Sequence, residues 1–442
     1  MFSLRVALLL AVALFQIGSS QETPSQVVER IRNANNFPAL GIAQLEAETT
    51  AIAVSGVRKY GAEARVETSD PWHLGSLTKS MTATILASYI GEGLLTWNTT
   101  LAQALPELRD IMHPEHSNTT LEMLTAQYSG IISSQQSNRT FLLESLYQPS
   151  FERRVEAVRR ELAIPPTYQP NTIYLYDNFN YVIAGLIMEI RTNKTYPEII
   201  QERLFTPLGM TGCGLGPLPE TSNSSIDSPW PHYRLNDTEQ TPFPLEGYDL
   251  ATRDNPPFYD PAGRAHCPLD SYLRYLQLHI NGSIPGSTLP APYSTLTPAD
   301  FAFLHTPYVL SPSYPSRNTY SYTPGGWLSR LSNPQLFFHD GTNTFNYGYA
   351  FVLASGNASS SGAGAVMTNI GLDIDGDATV ASAMRGIMDS IVEGDTSILG
   401  GAGENGTAPV VSGGARRIGA MYPALSITGS CTLVAGLVAL LT

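Results

Sequence analysis

Strand-like sequence stands at both ends of this 442-residue chain, separated by a long stretch of helix-like segments and loops. Near the beginning, "ALGIAQLE" (39–46) and "TAIAVSGV" (50–57) carry the alternating and β-branched residues of a hairpin. Near the end, "QLFFH" (335–339), "YGYAFVLA" (347–354) and "AGAVMTN" (363–369) read the same way, and a helix follows over 379–392. Strands need paired edges and a covered apolar face, so segments far apart in the chain must meet in one sheet. The expectation is an α+β fold: an antiparallel sheet flanked by helices, from about 25–105 and 265–395, with a mainly helical region, about 106–264, inserted. The insert includes the helical candidates "ERRVEAVRREL" (152–162) and "NFNYVIAGLIMEI" (178–190).

With 43% hydrophobic residues the chain can bury a large core, and a formal charge of −13 with no dense basic stripe argues against nucleic acid as a partner. Residues 1–20, an apolar run from Val6 to Phe15 followed by Gly18 and Ser20, read as a secretion leader. That puts a domain at 21–395, followed by a Gly/Ala/Ser-rich linker at 396–415. Residues 416–442 end in an uncharged apolar tail preceded by "SGGA", the pattern of a GPI-attachment signal with Ser412, Gly413 or Gly414 as the attachment residue; the alternatives are a membrane span, for which the tail is just long enough, and no anchor at all. Membrane contact is expected only through such a lipid anchor, so the chain is expected to be secreted or at the cell surface. In an oxidising compartment Cys213 and Cys267 are expected to pair. N-x-S/T sequons at Asn98, Asn118, Asn138, Asn193, Asn223, Asn236, Asn281, Asn357 and Asn405 fit a glycosylated surface.

Lysine is scarce, occurring only as Lys59, Lys79 and Lys194, and one of the three stands in "HLGSLTKSM" three residues after Ser76. On a helix those two side chains share a face. A hydroxyl becomes a nucleophile when a base removes its proton, and a buried, neutral lysine is such a base. In the first turn the Ser76 N–H would lack a helical partner and could donate to an oxyanion. Tyr176 and Asn178, in "YDN" before the apolar helix, could share a proton with the lysine and hold it or a substrate amide. In "FFHDGTNTF", His339 and Gly341 lie on a candidate strand, with the Thr342 N–H as a second oxyanion donor. No cofactor is expected, and neither "HPEH" (113–116) nor "DIDGD" (373–377) has the spacing of a metal site.

Together with "EMLTAQYSGI", "RLFTPLGMTGCGLG" and "PAGRAHCPLD", these blocks in this order resemble the serine β-lactamase-related family: class C β-lactamases, D-alanyl-D-alanine carboxypeptidases, family VIII esterases and LovD-like acyltransferases. The likeness covers roughly residues 25 to 395 and implies a β-lactamase/transpeptidase-like fold. The resemblance implies a secreted eukaryotic, fungal-like member. By this resemblance Ser76 is the acylated nucleophile, Lys79 its partner, and Tyr176 and Asn178 the family's Y-x-N pair. His339 to Gly341 stand where lactamases carry K-T-G and esterase-like members often carry H-x-G, and Gln127 replaces a frequent histidine in an expected structural role. The implied function is hydrolysis of a small-molecule ester or amide. The alternatives are acyl transfer to a small-molecule acceptor and a non-catalytic binding protein on the same fold.

Overall fold

The computed structural model describes residues 22–218, 226–236, 239–243, 254–308, 320–330, 335–373 and 379–399. The leader, the GPI-type tail, and the sequons at Asn223 and Asn405 lie outside the described residues, as does all but the first four residues of the 396–415 linker.

Helix α1 (Pro24–Ala34) starts from a capping box between Thr23 and Gln26. The expected hairpin follows as β1 (Ala39–Glu46) and β2 (Thr49–Gly56). Short β3 (Pro71–His73) precedes α2 (Thr78–Gly91), and the helical region contributes α3 (Ser150–Leu162) and α4 (Phe179–Thr192). The chain also forms β4 (Gly214–Leu215), β5 (His232–Asn236), β6 (Glu239–Pro242) and β7 (Ala265–Pro268), then α5 (Leu269–Gly282). The last part gives β8 (Tyr320–Tyr322), β9 (Leu328–Arg330), β10 (Gln335–Thr342), β11 (Tyr347–Ala354), β12 (Gly362–Thr368), β13 (Ile370–Asp373) and α6 (Thr379–Val392).

The early and late strands do pair. Seven strands form one antiparallel sheet in the order β2-β1-β12-β11-β10-β9-β8, with Ile42 of β1 opposite Val366 of β12 and Ala43 opposite Ala365. Alternate residues of β1 feed different cores. Leu40 and Ile42 pack with Val28 and Ile31 of α1 and Met384 and Ile387 of α6, while Ala39, Ala43 and Leu45 join the core containing α2 and α5. Both faces are covered, which is why β1 is almost wholly apolar, and each large side chain buried there contributes about 1.5–3 kcal/mol.

The inserted region is not purely helical. β4 pairs with β7, and β5 and β6 join β13 in a second small sheet. A two-residue strand is too short for an alternating pattern to reveal it. Cys213 and Cys267 form a disulfide linking the start of β4 to β7. Among the described residues, no helix is long and apolar enough to cross a membrane.

Candidate active site

Ser76 does not sit in the α-helix itself. It lies in a 3-10 turn, Gly75–Leu77, immediately before α2, so the chain tightens just as it delivers the hydroxyl. Gly75 adopts φ +50°, and a Cβ there would lie 2.3 Å from the Thr342 nitrogen. Gly341 faces the same contact from the sheet, where a Cβ would lie 2.0 Å from the Leu74 carbonyl oxygen. The two glycines let β10 and the serine turn meet backbone against backbone. β10 makes this contact because it runs beyond β9: its pairing with β9 ends at Phe338, while its pairing with β11 continues to Thr342.

Lys79, on the first turn of α2, is buried, and its Nζ meets three oxygens: Ser76 Oγ at 2.9 Å, Asn178 Oδ1 at 2.6 Å and the Ala262 carbonyl at 2.7 Å. The Tyr176 hydroxyl donates to Ser76 Oγ at 2.8 Å, and Lys79 Nζ lies 4.9 Å from the Tyr176 ring centroid. Burial pulls the Lys79 amine down from 10.5 to about 7, with Asp177 and Asp340 holding it partly back. Burial pushes the Tyr176 phenol in the other direction, well above its ordinary value. Near neutrality the lysine therefore spends much of its time uncharged and the tyrosine keeps its proton.

His339 lies on β10, 6.1 Å from Tyr176 between ring centroids. Its Nδ1 meets the Asp340 carbonyl, which fixes that nitrogen as the N–H, so Nε2 accepts from the Tyr322 hydroxyl at 3.1 Å. Burial lowers its pKa to about 4, so the imidazole is neutral at pH 7. The residues singled out in the sequence, Ser76, Lys79, Tyr176, Asn178, His339, Gly341 and Thr342, thus converge on one place. Gln127 lies behind it: its Oε1 accepts from the Asp177 backbone at 2.9 Å and from Asn180 at 2.6 Å, orienting the chain that presents Tyr176 and Asn178.

Three participants were not singled out as site residues in the sequence. Ala262 offers only a carbonyl. His73 accepts the Gly75 N–H on Nδ1 at 3.1 Å and donates its Nε2–H to Asp254 Oδ2 at 3.0 Å. Asp254, fully buried, also meets Arg264 Nε at 3.4 Å and accepts from Asn343 Nδ2 at 3.4 Å. Burial works against its charge, but His73 and Arg264 outweigh that and leave its pKa below the ordinary value. One carboxylate therefore ties together the serine turn, the 262–264 segment that anchors Lys79, and the turn after Thr342.

This arrangement falls in a known class. Residues 25–383 match the Beta-lactamase family, and the chain belongs to that family. An unguisins hydrolase, ungD', of Aspergillus campestris is 22% identical over 301 residues, 66% of this chain and 53% of that protein. Penicillin-binding protein 4 of Amycolatopsis lactamdurans is 23% identical over 257 residues, 58% of this chain and 63% of that protein. The chain therefore spans less than two thirds of the length of these relatives. In fold it is similar to the D-amino acid amidase of Ochrobactrum anthropi SV3 complexed with L-phenylalanine, at TM-score 0.61 and 16% identity, covering 84% of this chain and 99% of that one.

Proposed function

We propose that this chain is a serine hydrolase that cleaves an ester or amide through an acyl-enzyme on Ser76. The observation that carries the reading is the set of partners around Lys79 Nζ. A neutral amine has two N–H groups and one lone pair. Asn178 Oδ1 and the Ala262 carbonyl can only accept, so they take the two N–H groups, and the lone pair is left facing Ser76 Oγ at 2.9 Å. Lys79 is then the base that strips Ser76 during attack. Tyr176, kept protonated by burial, is the acid that passes a proton to the leaving group, with Lys79 replenishing it. The Ser76 and Thr342 N–H groups, on the two backbones that Gly75 and Gly341 bring together, are the oxyanion donors. Water then attacks the acyl carbonyl and gives a proton to the neutral Lys79 amine, Ser76 leaves and takes a proton back from it, and the acid is released.

The third motif supports an uncharged substrate. A lysine in place of His339 would draw a carboxylate, whereas a neutral imidazole engaged with Tyr322 offers no positive charge. The names of the relatives, an unguisins hydrolase and a D-amino acid amidase, support amide or ester cleavage. Secretion is part of the same proposal, supported by the Cys213–Cys267 bond and by exposed sequon asparagines at Asn98, Asn118, Asn138, Asn193 and Asn357.

The test is an activated-serine probe together with turnover of 4-nitrophenyl acetate. The label is expected on Ser76, and Ser76→Ala is expected to abolish both label and turnover while keeping the melting temperature. Turnover retained by Ser76→Ala would refute the assignment.

A further inference from the structure

Large apolar side chains left in water are unevenly distributed. Among the described residues eight are exposed, and six of them, Ile132, Leu143, Tyr147, Ile164, Tyr168 and Ile173, fall between positions 132 and 173. Ile132 (46% exposed), Tyr168 (46%) and Ile173 (38%) belong to two segments laced together beside the active site. Tyr168 N donates to the Gly130 carbonyl at 3.0 Å, Asn171 N to Tyr128 at 2.8 Å, and Leu175 N to Gln127 at 2.9 Å.

From this edge a row of tyrosines leads inward. Ring centroids are 4.7 Å apart for Tyr308–Tyr128, 5.9 Å for Tyr128–Tyr174, 5.9 Å for Tyr174–Tyr322 and 6.1 Å for Tyr322–Tyr176. Tyr128 and Tyr322 are buried, and Tyr308, Tyr174 and Tyr176 are half-buried. Three of the phenol tips are committed: Tyr308 to Asn171 Oδ1 at 2.8 Å, Tyr322 to His339 and Tyr176 to Ser76. What those rings offer a ligand is therefore mainly carbon and π-surface. The acid that acts on Tyr308 is Glu122, which disfavours an anionic guest.

From this geometry we infer that the tyrosine row and its Ile132/Ile173 rim form a subsite for an uncharged aromatic group on the leaving-group side of the scissile bond. The side follows from the proposed chemistry, on which this inference rests: Tyr176 heads the row, and the group that receives its proton departs there. Aromatic rings favour edge-to-face or offset contact with a guest ring, which an alkyl chain does not reproduce.

The experiment compares kcat/KM for 2-phenylethyl acetate and butyl acetate, two esters of primary alcohols with the same acyl group, read as acetate release. The wild-type protein is expected to favour the aromatic ester by about two- to tenfold. Tyr174→Ala should erase that ratio and Tyr174→Phe should keep it. Ile173→Ser, at an exposed position, should lower it even if Tyr174→Ala does not fold. A wild-type ratio near one, a ratio that survives both Tyr174→Ala and Ile173→Ser, or an aromatic preference seen only for ethyl phenylacetate over ethyl acetate overturns the subsite. Labelling of Ser76 by the activated-serine probe separates the two claims: a labelled protein with no aromatic preference loses the subsite and keeps the acyl-enzyme, and an unlabelled one loses both.

Discussion

Lys79 and Arg154 are both fully buried cationic side chains on helices that pack against α4, and their surroundings differ in one respect. Arg154 faces a carboxylate: its Nε and one terminal nitrogen meet the two oxygens of Glu189 at 2.7 and 3.0 Å, and its other terminal nitrogen donates to the Phe258 carbonyl at 2.5 Å. Glu189 in turn accepts from the Tyr196 backbone at 2.8 Å. That site is satisfied as an ion pair. Lys79 has only neutral acceptors within hydrogen-bond reach, so burial is compensated by giving up the proton. A guanidinium cannot make that exchange and an amine can, which is why the two residue types are not interchangeable here. The difference teaches that a buried charge with a partner is architecture, and a buried charge without one is a titratable tool.

The largest effect should come from Lys79→Met, which keeps volume and removes the base. Turnover per folded molecule should fall by about 10³–10⁴-fold with no loss of melting temperature, since a desolvated amine has been replaced by an apolar chain. A fall in stability with activity preserved would erase the contrast with Arg154. Arg154→Met should do the reverse: it leaves Glu189 buried and unpaired, costing about 3–5 kcal/mol in urea unfolding, while the rate per active site, counted by Ser76 labelling, stays near wild type. Asp254→Asn sharpens the comparison from a third direction, because that carboxylate pairs with Arg264 and also steers the serine turn through His73. Turnover should drop by up to about 10²-fold as the turn shifts, with KM little changed. A drop confined to melting temperature would return Asp254 to a purely structural role.

The smallest effect is in pH. With the Lys79 pKa lowered to about 7, the neutral base is fully present above that value and is lost tenfold per unit below it. A plot of log kcat/KM against pH should therefore climb with unit slope and level off near pH 7. The same depressed value makes the buried amine a stability cost that is fully present below about pH 7, where the fold must hold it charged. Its contribution to stability rises between about pH 7 and the ordinary lysine value, and Lys79→Met should flatten that rise.

The parts of this molecule that repeat a pattern could be read from sequence. The alternation in 39–57 and 347–369 located the central strands, the S-x-x-K spacing placed Lys79 beside Ser76, and the paired cysteines needed only a compartment. The remainder depends on single atoms or very short elements. The Ala262 carbonyl could belong to any residue, His73 and Asp254 lie 181 positions apart, and β3, β4 and β7 are too brief to show periodicity. The 3-10 turn at Ser76 arises because Gly75 must yield to β10, a contact between distant backbones that no local preference encodes. "QLFFH" and the His339–Gly341 that follows suggested a strand; it runs to Thr342 because β11 continues to pair with it.

The groups of the proposed site come from distant parts of the chain: Tyr176 reaches Ser76 across 100 positions and the Ala262 carbonyl reaches Lys79 across 183. Such closures are late and slow to form compared with neighbouring helical turns. Turnover is therefore a stringent gauge of completed assembly, since a chain whose last strands have not docked lacks the β10 backbone that Gly75 and Gly341 bring against the serine turn.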